Sequence, residues 1–594
     1  MEQSGQTNSI EYELQEHDQL CFVRIPKTGS TTLVAVLDAQ FNVAEICPIL
    51  VADLPQASPE ELAKYKLFRD HFDYDIHEFL PHKPVYMTML RHPVERAVSY
   101  YEFCKRCQNQ GTFDQYLREA TSKGLKEFTA HPDPTIRIRT ANLQTRQIAA
   151  GLGSRHSNPF EPSPLESTRS EAELLALAKE HLDEFIFVGL TERFQDSILL
   201  LTYIFGWYPL SEYPSLRVAA KKSDRVDQDT MDAILEVNQL DLELYQYAQQ
   251  IFADRFSKML QELSVKYSEV ESALEKHYET RYIERQLTPL KSIDFNFLQA
   301  LSGSGWHRRN GFYSGLRITS TPFRWTGPST ESTVDFPLAT ETDLTIRIRI
   351  TNAAVPDILD SFKLKANNCP IALNPLMRRG NLAVFEGIIP QIVLVSDRPF
   401  TRLTLSVNRT VSLQEVHPNS TDKRVVGLAV QRIQIFPTTE QPPTPEGDYM
   451  LFPIGDRFWA EAADFLQQHL QPEEKLAAPT EFMERFPQEF LPYSNSFENQ
   501  PNLSWVVIHK GLLAEVHSIS LKWTAKSCNP VFANEVFVIF SRCKALQKLD
   551  RNSLHLRSFW QTWQTLIRDQ TLKDISPNIR ILNWLKQAIH HHNP

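Results

Sequence analysis

Between residues 20 and 265 short apolar runs alternate with runs of helical period. The segments QLCFVRI, YKLFRD, PVYMTML and EFIFVGL read as strands, and their alternation with helical stretches predicts an α/β domain with a mainly parallel sheet. TERFQDSILLLTYIFGW, after the fourth run, is predicted helical. From Met231 to Leu263, residues Met231, Ile234, Leu235, Tyr245, Ala248, Ile251, Phe252, Phe256, Met259 and Leu260 keep helical spacing and read as core.

The texture changes between Asn296 and Pro437. Segments such as DLTIRIRI, AVFEGIIP, RLTLSVNRTVSL and VVGLAVQRIQIF alternate apolar and polar positions between Pro, Asn and Ser clusters, the pattern of an antiparallel β-sandwich. A Pro-rich stretch, PTTEQPPTPEGD, then opposes both helix and central strand. Beyond Tyr449 the runs KLAAP, SWVVIHK and EVFVIFS lie between helical stretches and predict a small α/β or α+β domain. The expected division is 1–270, a helical connector 271–295, a β-sandwich 296–438, a linker 439–448 and a C-terminal domain 449–594. No solenoid or propeller period is present.

At 594 residues the chain is too long for one hydrophobic core, in keeping with several domains. Its 62 Lys and Arg against 72 Asp and Glu give a net charge of -10, which argues against a general nucleic-acid binder because phosphate contacts need a basic surplus. No window has the apolar length of a membrane span, and the N-terminus is polar and acidic, so a cytoplasmic location is the expectation. Seven scattered Cys do not form a disulfide framework and fit a reducing compartment. Cys104 and Cys107 make a lone CxxC without the second pair that zinc normally needs, and His590 to His592 form a short tract at the tail; no metal is expected.

The segment CFVRIPKTGSTTLVAVLDAQF joins a strand to an amphipathic helix through Pro26, Lys27, Thr28, Gly29, Ser30, Thr31 and Thr32. At a helix start, unpaired N–H groups and the positive dipole end favour an anion. Gly29 permits close backbone approach, the hydroxyls of Thr28, Ser30, Thr31 and Thr32 add donors, and Lys27 brings a full charge. The Lys precedes the Gly, so this is not a Walker A loop. PVYMTMLRHPVERAVSYYEF repeats the design, with Arg91 at a strand end, Pro93 suited to the first helical position and Ser99 further along the helix. Arg91 can grip a phosphate bidentately and Ser99 can share it; the plainer alternative is a salt bridge from Arg91 to Glu95 and a solvent-facing Ser99. Two anion grips on neighbouring strands suit a ligand with two separated phosphates.

Taken together, FVRIPKTGSTTL and TMLRHPVERAVSYY resemble the paired cofactor motifs of the Golgi-type carbohydrate sulfotransferase superfamily, which includes the heparan-sulfate 2-O- and 6-O-sulfotransferases and bacterial, especially cyanobacterial, members. The resemblance covers residues 20–265. It implies a P-loop-like three-layer α/β fold that binds 3′-phosphoadenosine 5′-phosphosulfate (PAPS), with Lys27 at the 5′-phosphosulfate and Arg91 and Ser99 at the 3′-phosphate. LFRDHFDY resembles the family segment that carries a His base, which makes His71 the candidate general base, and NLQTRQIAAG and FVGLTERFQDSILLL are also similar. The chain departs from the family pattern at Ser30, His92 and Asp70; a carboxylate at Asp70 could raise the pKa of His71 or crowd the acceptor.

The function so implied is in-line transfer of a sulfuryl group from PAPS to a hydroxyl, in a glycan or glycoconjugate. Lys27 and the helix N–H groups would stabilise the leaving phosphate, and His71 would take the hydroxyl proton. Arg146, Lys221 and Lys222 are weaker candidates for contacts, each readable as a solvated charge. The alternatives are a non-catalytic glycan-binding or scaffold protein that retains the fold and an ATP-dependent phosphotransferase. In the sandwich, Trp306, Phe312, Tyr313 and Trp325 read either as core or as a sugar-stacking surface. His509 and Lys510 read as a satisfied strand-end residue and a charge.

Overall fold

Strand β1 (Leu20–Val23) lies between β2 (Leu67–Phe68) and β3 (Val85–Leu90), and β3 pairs on its other side with β4 (Phe187–Leu190); every pairing is parallel. These are the four expected runs. β1, β2 and β4 are buried throughout and β3 from its second residue on, as parallel strands covered on both faces require. β2 is shorter than its run because the next residues leave the ladder for polar partners: Arg69 pairs with Asp38, and the Asp70 carboxylate accepts from the Val51 N–H. This computed structural model describes residues 10–108, 121–149, 169–209, 226–267 and 272–563, the last with gaps at 286, 314–316, 380, 417–421, 441–455 and at several positions between 480 and 561. The described chain forms two compact units, residues 1–309 with 323–445, and 310–322 with 446–594.

Helix α1 (Ser30–Gln40) follows β1 and α2 (Pro93–Gln108) follows β3. Helices α3 (Leu143–Ala149), α4 (Glu171–Glu184) and α5 (Phe194–Phe205) complete the surround of the sheet. The helical run from Met231 is two helices, α6 (Gln228–Glu236) and α7 (Gln239–Lys266). Asn238 divides them: its side-chain amide donates to the Ile234 carbonyl while its Oδ1 accepts from the Asn142 N–H, a local competition with helix bonding that Asn readily makes.

The same unit holds two antiparallel sheets. In one, Leu344–Ala353 pairs with Leu382–Ile389 and with Leu428–Pro437; in the other, Thr401–Ser406 pairs with Lys363–Ala366 and Glu331–Phe336. Period-2 alternation aims Ile346, Ile348, Ile350, Ile433 and Ile435 of the first and Val334, Leu364, Leu403 and Leu405 of the second into one core. Residues Ile293–Phe295, at the end of the expected connector, pair with Ile433–Ile435 in the first sheet. Trp306 and Trp325 belong to this core, and the Trp306 indole N–H donates to the Thr333 carbonyl at 2.7 Å. They therefore form no sugar-stacking surface: two large rings gain more by burial inside the sheet pair than in water. The side chains of Phe312 and Tyr313 lie outside the described residues.

The second unit is built on a mixed sheet in the order Phe490–Pro492, Lys475–Ala478, Leu503–His509, Phe537–Ser541, Asn529–Ala533, the first two pairings parallel and the last two antiparallel. Helices Arg457–His469 and Ser518–Ser527 accompany it. His509 is buried and its Nδ1 accepts from the Gly511 N–H at 3.0 Å, while the Lys510 ammonium donates to the Asn534 carbonyl. Both are local satisfactions at a strand end. Among the described residues no helix is long and apolar enough to cross a membrane; Lys221, Lys222 and His590 to His592 lie outside them.

Candidate active site

The loop between β1 and α1 turns through two left-handed residues, Lys27 at φ 74° and Gly29 at φ 77°. Glycine suits that region without penalty, whereas Lys27 has a Cβ and holds it against a steric cost. Gly29 is the N-cap of α1 and no side chain caps the helix start; the Thr32 N–H bonds the Gly29 carbonyl at 3.2 Å, and the amides of Ser30 and Thr31 precede the first turn's backbone bonds. An added Cβ at Gly29 would stand 3.3 Å from the Phe194 ring, which fixes how closely the loop lies on α5. The Thr28 hydroxyl is fully buried and donates to the Ile25 carbonyl at 2.9 Å. It closes the loop rather than adding an outward donor. Ser30 Oγ accepts from Arg24 Nε at 3.4 Å, and Thr31 and Thr32 are half-buried.

Because β1 and β3 are adjacent, with Val23 opposite Thr88, the second loop emerges beside the first. Arg91 Nη1 donates to the Lys27 carbonyl at 3.1 Å, Nη2 lies 3.3 Å from the Glu95 carboxylate, and Nε is 4.0 Å from Glu192. The ion pair with Glu95 is thus present, but as one arm of a largely buried fork that also spans the first loop. From α2 the Phe103 ring reaches back beneath the Lys27 ammonium, 4.5 Å from ring centroid to Nζ, a cation–π contact that holds the charge in place. Ser99 stands half-buried on the same helix.

His71 follows β2, the other neighbour of β1. Its Nδ1 lies 3.0 Å from the Arg24 carbonyl; since a carbonyl only accepts, Nδ1 carries the proton and Nε2 holds the free lone pair in the neutral ring. Solvent reaches the ring, yet surrounding protein desolvates it and, with the nearby Arg24 charge, lowers its pKa below the ordinary histidine value; Asp70 opposes this with a smaller upward pull. That answers the question raised by Asp70: its carboxylate is occupied by the Val51 amide and does not dominate the imidazole.

Several site residues carry no sequence signal. Gln144 on α3 is fully buried and bonds the Arg91 backbone twice: its Oε1 accepts from the Arg91 N–H at 3.0 Å and its Nε2 donates to the Arg91 carbonyl at 2.8 Å. Asp241 on α7 receives the backbone N–H groups of Gln144 and Thr145 at 3.2 and 2.8 Å, and lies 4.0 Å from the buried Arg96 guanidinium. Glu192 accepts from the His92 N–H and from the Tyr245 hydroxyl, at 3.0 and 2.8 Å. These partners are 53 to 145 residues apart in the chain. Gln144 sits two residues from Arg146, whose guanidinium donates to the Ile138 carbonyl and so serves the helical surround.

Cys104 packs with Tyr101, Phe128 and Ile136, and among the described residues no group of three His, Cys, Asp or Glu could hold a metal ion. What the site presents is a Lys, an Arg, an uncapped helix start and a neutral His on three adjacent parallel strands. That set suits a doubly anionic ligand and a proton transfer, the residue types fitting a nucleotide with phosphates at two ends.

Comparison with known proteins bears on this arrangement. A family model described as "Sulfotransferase family" matches residues 11–248. The heparan-sulfate 6-O-sulfotransferase 1 of Cricetulus griseus is 31% identical over 196 residues, 30% of this chain and 46% of that protein. The heparan-sulfate 6-O-sulfotransferase 2 of Gallus gallus is 26% identical over 216 residues, 34% of this chain and 50% of that protein. A heparin sulfate O-sulfotransferase of Drosophila melanogaster is 28% identical over 143 residues, 19% of this chain and 41% of that protein. The chain spans about half the length of the curated relatives it matches.

Proposed function

Residues 11–248 of this chain are a sulfotransferase-family domain, and from that premise we propose that the protein moves the sulfuryl group of PAPS to a hydroxyl of a glycan. One observation carries the reading: the Arg91 guanidinium bonds the Lys27 carbonyl at 3.1 Å, which brings two basic loops, on adjacent strand-to-helix junctions, close enough to serve a single ligand. Lys27 and the uncapped amides of α1 take the 5′-phosphosulfate end; Arg91 and Ser99 take the 3′-phosphate.

In the transfer, His71 Nε2 accepts the proton of the acceptor hydroxyl while Nδ1 keeps its own on the Arg24 carbonyl. A lowered pKa leaves the ring neutral, and so able to accept, at pH 7. The donor supplies an activated sulfuryl group, less charged than a phosphoryl dianion. Lys27 Nζ and the α1 amides stabilise the negative charge that builds on the departing phosphate, fixed donors that need no reorganisation during the reaction. The glycan acceptor rests on the relatives named above, whose names specify heparan sulfate or heparin.

Transfer of labelled sulfate from PAPS to polysaccharide extracts tests the reading. It requires transfer by the wild-type chain and none by a His71→Ala variant that still binds 3′-phosphoadenosine 5′-phosphate (PAP) in a calorimeter. Tighter binding of ATP than of PAP, or nucleotide binding without transfer to any extract, would overturn it.

A further inference from the structure

Helix α1 begins at the proposed donor loop, and its last turn contains no basic residue. Its terminal carbonyls therefore need partners from elsewhere. They find them some 270 residues later in the chain. Arg309, which is buried, donates through Nη1 to the Asp38 carbonyl and through Nη2 to the Phe41 carbonyl at 2.8 Å. The same guanidinium bonds the Phe297 and Gln299 carbonyls at 2.7 and 2.8 Å, in the segment leading into the antiparallel sheets. Around it, the Leu301 N–H donates to Ala39 and the Val43 N–H to Leu298, at 2.7 and 2.8 Å, and Asn42 Oδ1 accepts from the Ala300 N–H at 3.0 Å.

A second link runs from the same place toward the proposed base. The Asp38 carboxylate is ion-paired with Arg69, two residues before His71, in a pocket of charge that also includes Arg309 and the buried Arg324 of the antiparallel sheet. Burial draws the Arg309 pKa down to about 10, so the residue remains a cation at pH 7. A cation at a helix C-terminus is favourable both to the dipole and to the open carbonyls. The contacts are backbone-directed and numerous, which makes the junction a rigid joint rather than a surface where two modules merely touch.

We propose that the antiparallel module acts as a brace for the donor site, with Arg309 the positioning residue that anchors the far end of α1 and thereby sets the register of the loop at its near end. The idea rests on the reading of that loop as the 5′-phosphosulfate grip. It assigns about a third of the first unit a role in nucleotide binding that a freely hinged glycan-binding appendage would not have.

Calorimetry on the full chain tests it with two nucleotides: PAP, which engages both grips, and adenosine 3′-phosphate, which lacks the 5′ end. Arg309→Met keeps the apolar stem and removes the fork. The expected result is a loss of about tenfold in PAP affinity with adenosine 3′-phosphate affinity changed less than about threefold, and partial recovery in Arg309→Lys. Equal losses for both nucleotides, or no loss, would overturn the brace. Should Arg309→Met fail to fold, hydrogen exchange on the wild type decides: residues 30–40 should open together with strands 344–353 and 428–437 and gain protection with them when PAP binds, whereas independent opening of the helix refutes the coupling. If the wild type binds no PAP, the donor reading fails; the shared opening of helix and sheets in the free protein still reports on the joint.

Discussion

Arg91 Nη1 donates to the backbone carbonyl of Lys27, 3.1 Å away, and Lys27 is held at a φ of 74°. The residue proposed for one end of the ligand thus pins the strained backbone of the residue proposed for the other. Only a planar fork can reach that carbonyl and the Glu95 carboxylate together. Arg91→Lys, which preserves charge but not the fork, should weaken PAP binding by about tenfold or more, measured by calorimetry, and should lose affinity for adenosine 5′-phosphate as well because the first loop relaxes.

The left-handed backbone at Lys27 separates stability from function. Lys27→Gly and Lys27→Ala both delete the ammonium and should both lose transfer activity. Only glycine relieves the Cβ clash, so Lys27→Gly should be more stable than Lys27→Ala by roughly 1 kcal/mol, read from the denaturant midpoint of the first unit. Equal midpoints would mean that the loop changes conformation when the side chain is lost.

As the proposed base, His71 should set the acid limb of the pH profile. Its folded pKa lies below the ordinary value of about 6.5 because protein desolvates the ring and Arg24 adds positive charge. The neutral ring, the form that accepts a proton, therefore persists as pH falls to 6.5 and is lost only below it. The kcat/KM for transfer should stay level from pH 8 to about 6.5 and fall beneath that. The Asp70→Asn substitution removes the upward pull and should move the limb to still lower pH.

Gln144 holds the Arg91 backbone by two hydrogen bonds, so its loss should be felt at the 3′-phosphate. Gln144→Ala should lower PAP affinity about tenfold while leaving that for adenosine 5′-phosphate within about threefold. Gln144→Glu can still accept from the Arg91 N–H but cannot donate to its carbonyl, and should fall between.

In the second unit, Asp456 caps helix Arg457–His469 by accepting from the Phe458 and Trp459 N–H groups, yet burial pushes its pKa up to about 7 against the pull of those bonds. The folded state then binds its proton more tightly than the unfolded state, whose carboxyl titrates near 3.9. Stability from this group is full below that value and is lost as pH rises from about 4 to 7. Thermal melting of the second unit should decline over that window, and Asp456→Asn should flatten the slope.

The local structure of the candidate site was legible in the sequence. Four apolar runs announced four parallel strands, the Pro-Lys-Thr-Gly stretch announced a helix start, and Arg91 and His71 stood where strand ends must lie, because period and turn residues are properties of neighbours in the chain. The two-residue length of β2, the inward-turned Thr28 hydroxyl and the break at Asn238 depended on partners the local pattern does not name.

Sequence alone determined which short segments carry the candidate charges and the proposed base, since a strand, a turn and a helix start are each specified within a dozen residues. Tertiary structure alone decided that Arg91 reaches the Lys27 carbonyl, that Gln144 and Asp241 stand behind it, that Trp306 and Trp325 are core, and that Arg309 closes the helix begun at Ser30. Those relations join residues tens to hundreds of positions apart. Their physical basis is the demand of buried carbonyls, amides and guanidinium groups for partners once water is excluded, a demand that every residue makes but only the folded chain can assign.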